Sequence, residues 1–137
     1  MPKKFDSDKD IPDLTGKVIL VTGGNSGIGE ATVRALAAHR PKCIYLTARK
    51  TNTGDQIVKS VHEKHPEAKI EVLELDLNSF DSVEKCAAQF NRRSDRLDIL
   101  FLNAGIGAAV PGLTKEGYES RFGGTRSIYL KSFVRQD

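Results

Sequence analysis

The stretch that decides the fold runs from residue 17 to residue 29 and reads Lys17-Val18-Ile19-Leu20-Val21-Thr22-Gly23-Gly24-Asn25-Ser26-Gly27-Ile28-Gly29. It opens with a short run of β-branched and aliphatic side chains, which is typical of a parallel strand covered on both faces. The glycines that follow indicate a tight turn. Apolar residues at helical spacing from Ile28 to Ala37 then predict a helix that stops before Pro41.

The same alternation continues along the chain. Further strands are predicted at 43–48, 70–75 and 97–102, and helices at 53–65 and 79–92. Strands that alternate with helices of this length indicate right-handed βαβ units and a parallel sheet. Cys86 shares a helix face with Val83 and Phe90, so it is expected in the core.

The two ends of the chain lack this alternation of strands and helices. Residues 1–14 are a polar arm that precedes the first strand. Thr114 can cap a further helix over 114–122, with Gly117 as a weak point inside it. Residues 124–137 form a basic tail with no clear element.

Composition narrows the functional class. The chain has 137 residues, one domain's worth, and 39% of them are hydrophobic, which favours a globular protein. No apolar stretch approaches the roughly 20 residues of a membrane-spanning helix, and the start shows no signal peptide. Two cysteines in no ligand spacing fit a reducing compartment, so we expect a cytoplasmic protein.

The charge of the chain is concentrated in its tail. The net charge is +3, and residues 121–137 hold four basic groups against one acid, which leaves the rest of the chain balanced. A protein that binds nucleic acid would need a basic stripe on a folded face, so no nucleic-acid partner is expected. His62 and His65 are three apart rather than four, and no metal site is predicted.

The glycine turn carries the strongest chemical signal. In a strand–turn–helix unit, Gly23 permits the tight turn, Gly27 lets the backbone approach a pyrophosphate, and Gly29 lets the helix pack on the strand. The helix N-terminus offers unpaired N–H groups to the phosphates. A glycine-rich turn that binds nothing is the alternative. The cofactor-binding residues predicted in this turn are Gly23, Asn25, Ser26, Gly27, Ile28 and Gly29.

Several motifs together resemble the short-chain dehydrogenase/reductase family, in its retinol-dehydrogenase-like branch. The turn has the spacing G-x-x-x-G-x-G behind Thr22, and the other matching segments are Leu75-Asp76-Leu77, Asn103-Ala104-Gly105, 113–119 and 122–123. The resemblance implies that Asp76 and Leu77 contact adenine, and that Asn103, Ala104 and Gly105 hold the sheet and line the cofactor site. It implies the N-terminal half of a Rossmann-type, doubly wound α/β sheet with strand order 3-2-1-4.

The residue after the second strand bears on which cofactor is bound. Arg49 lies 20 residues beyond Gly29, where an acidic residue would favour NAD(H) and a basic residue accommodates the 2′-phosphate of NADP(H). A guanidinium matches a phosphate in charge and in geometry. NADP(H) is therefore predicted in preference to NAD(H), the alternative being that Arg49 is only a solvated charge at a strand end.

The family's catalytic pair is missing from this sequence. The resemblance implies hydride transfer between the nicotinamide and a carbonyl or alcohol substrate, with a Tyr-x-x-x-Lys pair that moves the proton. Tyr129 and Lys131 are two apart, and Phe122 stands four residues after Tyr118. Residues 15–123 are therefore expected to be a partial NAD(P)-binding domain, truncated after the fourth strand, with no catalytic residue and no turnover alone. Residues 124–137 are expected to be a basic tail of no recognisable family sequence. A non-catalytic dinucleotide-binding module and a non-functional truncated product are the alternatives.

Overall fold

The computed structural model describes residues 1–105 and 112–118. In that part of the chain, strands and helices alternate after a short first helix. The strands are β1 (Val18–Val21), β2 (Cys43–Ala48), β3 (Ile70–Glu74) and β4 (Ile99–Phe101). The helices are α1 (Ser7–Asp10), α2 (Gly27–Ala37), α3 (Thr51–His62) and α4 (Phe80–Arg93). The tail at 124–137 and the pair Tyr129 and Lys131 lie outside the described residues.

The four strands form one sheet in the order β3-β2-β1-β4, and every pair is parallel. The predicted order 3-2-1-4 is confirmed. Val18 pairs with Cys43 and Ile44 pairs with Ile70, while Ile19 pairs with Ile99. All residues of β1 and β2 are buried, whereas those of β4 are only partly buried. The sheet is thus best covered at its centre, where the apolar runs are continuous.

Each face of the sheet carries its own layer of core residues. On one face, α4 packs against the strands, and Phe90 meets Tyr45 edge to face with ring centroids 4.9 Å apart. On the other face, α2 and α3 pack through Val33, Leu36 and Val61. Cys86 is buried in the α4 layer, as its spacing predicts, and burial raises the pKa of its thiol to about 12.

Element bounds shift by up to three residues, as in α3, which was predicted at 53–65 and covers Thr51–His62. Two further regions differ in the kind of structure they form. The N-terminal arm contains α1, a single turn whose N-cap, Asp6, accepts a hydrogen bond from the Asp8 N–H. The helix predicted from Thr114 is wrong over residues 114–118, which form a turn. The Thr114 N–H donates to the Tyr118 carbonyl at 2.7 Å, and Gly117 has a φ of 84°. A glycine in the left-handed conformation does not continue a helix, so Gly117 accounts for the turn in place of the predicted helix.

Candidate functional site

The carboxyl ends of the strands surround a cavity of about 550 Å³. Ligands of open α/β sheets bind at this edge. The cavity brings together most of the predicted cofactor-binding residues, namely Gly23, Asn25, Ser26, Arg49, Asp76, Leu77, Asn103, Ala104 and Gly105. The glycine turn, the end of β2, the turn after β3 and the segment after β4 therefore meet at one place.

The remaining predicted residues lie beside this cavity rather than in its lining. Gly29 is buried under the turn, and Ile28 is exposed. Gly27 has a φ of 53°, a left-handed conformation that favours glycine, and no atom lies within 4 Å of where its Cβ would stand. A Cβ at residue 27 would meet only open space, so the left-handed backbone is what calls for glycine here.

The glycine turn packs closely against the start of α2 and against Asn103. A Cβ at Gly29 would overlap the Gly23 carbonyl oxygen and lie 2.6 Å from Asn103 Nδ2. Gly23 itself has a φ of 65°. Only glycine at both positions allows the turn to fold back on the helix this closely.

Two buried threonines fix the turn to its neighbouring strands. The Gly23 N–H donates to Thr47 Oγ1 at 3.1 Å, so the turn is tied to β2. Thr22 Oγ1 accepts hydrogen bonds from the N–H groups of Asn103 and Ala104, both at 3.0 Å. Asn103 Nδ2 in turn donates to the Thr22 carbonyl at 3.1 Å. The segment after β4 therefore forms part of the floor of the site.

The N-terminus of α2 faces the cavity without a side-chain cap. Its N-cap residue, Ser26, makes no hydrogen bond to the helix through its side chain. The N–H groups of the first helical turn have no carbonyl partner within a helix and carry a partial positive charge. An anion in the cavity can accept hydrogen bonds from these groups.

Gly54 is a site-building residue that the sequence analysis missed. A Cβ there would lie 2.6 Å from Val72 Cγ1 and 2.9 Å from Leu46 Cδ1, because α3 runs very close to the sheet. This approach places the exposed pair Arg49 and Lys50 at the start of α3, and Arg49 lines the cavity. An isolated glycine inside a predicted helix is the signal that could have identified it.

The turn after β3 is held by a hydrogen bond within itself and by bonds to the segment 112–118. Asp76 Oδ1 accepts the Asn78 N–H at 3.0 Å. The Asn78 carbonyl accepts the Lys115 N–H at 2.9 Å, and Glu116 Oε1 accepts the Phe80 N–H at 2.7 Å. The segment 112–118 therefore supports the turn that carries Asp76 and Leu77. Other lining residues that sequence reasoning missed adjoin predicted ones at strand ends, namely Thr47, Ala48, Leu75 and Asn78.

No helix of the described residues is long and apolar enough to cross a membrane. No group of three or more possible metal ligands occurs among those residues either.

Several known proteins have sequences similar to this chain. One relative is a short-chain dehydrogenase/reductase of Armillaria gallica, which is 45% identical over 123 residues, or 89% of this chain and 39% of the relative. Another is an uncharacterised oxidoreductase of Schizosaccharomyces pombe, 44% identical over 91% of this chain and 36% of that protein. The chain thus spans less than half the length of these curated relatives.

Solved structures show the same fold. A protein of uncharacterised function from Mycobacterium paratuberculosis matches with a TM-score of 0.76 and 30% identity, over 92% of this chain and 43% of that one. An alcohol dehydrogenase from the archaeon Thermococcus sibiricus, complexed with 5-hydroxy-NADP, matches with a TM-score of 0.71 and 27% identity. That match covers 85% of this chain and 51% of the archaeal enzyme.

The sequence model of the short chain dehydrogenase family matches residues 17–135. The match extends beyond residue 123, the predicted end of the partial domain. That boundary stays a prediction. With all four strands of the sheet and the glycine turn inside the matched range, the chain belongs to the short-chain dehydrogenase family.

Proposed function

We propose that this chain forms the adenosine- and diphosphate-binding part of an NADP(H)-dependent oxidoreductase. One observation carries the proposal: Arg49 lines the same cavity as the glycine turn at the N-terminus of α2. The same cavity thus offers helix N–H groups for a diphosphate and a guanidinium for a 2′-phosphate.

The residues present fit such a cofactor. Gly23, Gly27 and Gly29 shape the turn, and Asn25, Ser26 and Ile28 belong to the segment that meets the diphosphate and the adenosine ribose. Asp76 and Leu77 bind adenine at the end of β3. Asn103, Ala104 and Gly105 line the side of the cavity at β4, toward the nicotinamide.

The proposed cofactor is NADP(H) rather than NAD(H). The exposed guanidinium of Arg49 supports this choice, because no acidic residue follows β2 at the position that would bind a free ribose hydroxyl. The nucleotide bound to the Thermococcus sibiricus enzyme, 5-hydroxy-NADP, is in line with it.

We propose that a complete form of the protein transfers a hydride between NADP(H) and a carbonyl or alcohol substrate, and that it is cytoplasmic. When bound, the cofactor supplies the hydride, while the residues of this chain bind and orient it. None of the three tyrosines in the sequence is followed by a lysine four residues later. This observation favours a second candidate function for the chain by itself, nucleotide binding without turnover.

Thermal unfolding of the 137-residue chain, alone and with NADPH or NADH, tests the proposal. A ligand at 100 times its Kd stabilises the native state by about 2.7 kcal/mol, which raises the Tm of a domain of this size by roughly 5–10 °C. We expect a clearly larger shift with NADPH than with NADH.

Arg49→Gln tests the residue behind the preference. Loss of a charge-assisted hydrogen bond weakens NADPH binding by roughly 10- to 100-fold and leaves NADH binding nearly unchanged. Arg92→Gln, which removes an exposed charge at the end of α4, is the matched control and keeps the preference. Equal shifts with the two nucleotides, or none, would refute the NADP(H) proposal.

A further inference from the structure

A chain of hydrogen bonds joins the glycine turn to the loop that carries Arg49. Asn25 Nδ2 lies 3.0 Å from Thr53 Oγ1. Thr53 Oγ1 lies 2.7 Å from the Lys50 carbonyl oxygen, and the Thr53 N–H donates to the same oxygen at 3.2 Å. Thr53, in the first turn of α3, thus connects both sides of the cavity.

The proton count of this chain fixes the orientation of the Asn25 amide. A threonine hydroxyl has one proton, and a carbonyl oxygen can only accept, so the Thr53 proton goes to the Lys50 carbonyl. Thr53 Oγ1 can then only accept from Asn25, which requires the amide nitrogen of Asn25 to face Thr53. Asn25 Oδ1 is directed away from Thr53 and makes no hydrogen bond to any described residue.

The free acceptor determines what this position can bind. Asn25 and Arg49 line the same cavity, and Asn25 is tied to the segment that follows Arg49. A carbonyl oxygen repels a phosphate oxygen but accepts a hydrogen bond from a hydroxyl. In NADP(H) the 2′-oxygen of the adenosine ribose carries the phosphate, which leaves the 3′-hydroxyl as the donor on that ribose.

Resting on the function proposed above, we infer that Thr53 is a positioning residue for the adenosine ribose. It holds the Asn25 amide so that Oδ1 accepts the ribose 3′-hydroxyl, while Arg49 takes the 2′-phosphate. The two contacts act on adjacent positions of one ring, and Thr53 sets the spacing between the elements that supply them.

The test compares NADPH with its 3′-deoxyadenosine analogue in the wild-type chain and in Thr53→Val, which keeps the side-chain shape but removes the hydroxyl. In the wild type, removal of the 3′-hydroxyl is expected to raise the Kd roughly five- to tenfold, the effect of one hydrogen bond. In T53V, the Kd of NADPH rises by a similar factor, and the penalty for the deoxy analogue falls below about twofold. Thr53→Ser restores both values because it keeps the hydroxyl.

Thr32→Val is the matched control. Thr32 Oγ1 also donates to a backbone carbonyl, that of Ile28 at 2.8 Å, and Thr32 does not line the cavity. T32V keeps the wild-type penalty. A purely structural role of Thr53 would lower the Tm of T53V but leave the deoxy penalty intact, and that result would overturn the inference.

Asn25→Ala covers the case in which T53V does not unfold cooperatively, because it removes the acceptor itself. A deoxy penalty in N25A equal to that of the wild type, or no penalty in the wild type, would also overturn the inference. A wild-type chain that binds no NADPH would instead refute the proposed function on which the inference rests.

Discussion

The helices α2 and α4 begin in the same way but finish their first turns differently. Each follows a parallel strand and has a serine as its N-cap. At α4, two N–H groups of the first turn have side-chain acceptors: Ser79 Oγ accepts the Ser82 N–H, and Glu116 Oε1 accepts the Phe80 N–H. At α2, Ser26 makes no such bond. The N-terminus of α4 is thus capped by side chains, whereas that of α2 keeps its N–H groups available to a ligand.

The third helical residue shows the same contrast. In α4 it is Ser82, whose Oγ accepts the Asp76 N–H at 2.9 Å. In α2 it is Gly29, where even a Cβ would meet the Gly23 carbonyl oxygen. The α4 position uses its side chain to hold a turn, whereas the α2 position must have none.

Substitution at this third position gives the largest expected effect. Gly29→Ala forces a Cβ against backbone that cannot move aside, so the free energy of unfolding falls by about 3 kcal/mol and nucleotide binding is lost. Ser82→Ala, the matched change in α4, removes one hydrogen bond and costs about 1 kcal/mol. Urea denaturation of both variants measures the difference. If G29A were as stable as S82A, the close packing at α2 would not matter as described.

The two N-cap serines give a smaller and more specific contrast. Ser79→Ala removes a cap that is in use and lowers the free energy of unfolding by about 1 kcal/mol. Ser26→Ala removes a hydroxyl that caps nothing, so the stability of the free protein changes by only a few tenths of a kcal/mol at most. Chemical denaturation without nucleotide checks this order. The reverse order, S26A being the less stable, would show that α2 is capped in the free protein.

The smallest expected effect concerns the charge that Glu116 brings to α4. Glu116→Gln keeps a hydrogen-bond acceptor for the Phe80 N–H but removes the negative charge from the helix N-terminus. We expect a loss of about 0.5 kcal/mol that shrinks at high salt, since the interaction with the helix dipole is screened. Thermal unfolding at low and high ionic strength measures it, with the exposed Glu84→Gln in the second turn as control. A salt-independent loss would mean that geometry rather than charge stabilises α4.

The sequence predicts the sheet well because β1 and β2 are continuous apolar runs that can only be buried. The bounds of β2, Cys43–Ala48, are those predicted. Strand β4 is shorter than the predicted 97–102, since its residues lie at the side of the sheet and are only partly covered. The short helix α1 was missed because four polar residues with a local cap have no apolar period to detect.

The candidate site was predictable where its residues belong to one local motif, as in the glycine turn. It was not predictable where the role of a residue depends on its contact with a segment distant in the sequence. Nothing local shows that Gly54 lies against Val72, or that Thr47 accepts the Gly23 N–H. The support of the β3 turn by Glu116 likewise depends on a segment 36 positions away. The cofactor-binding residues themselves, Arg49 above all, remain predictions until nucleotide binding is measured.

The bond between Thr22 and the segment after β4 also has a consequence for the order of events during synthesis. It joins residues 81 positions apart. The glycine turn of a growing chain is therefore made long before the segment after β4 that contacts it. Contacts so distant in sequence form late, because the loop between them must close first. The first three strands can assemble on the ribosome before the fourth emerges. Nucleotide binding by a nascent chain is therefore expected to begin abruptly once Ala104 has left the exit tunnel, and it would mark the completion of β4.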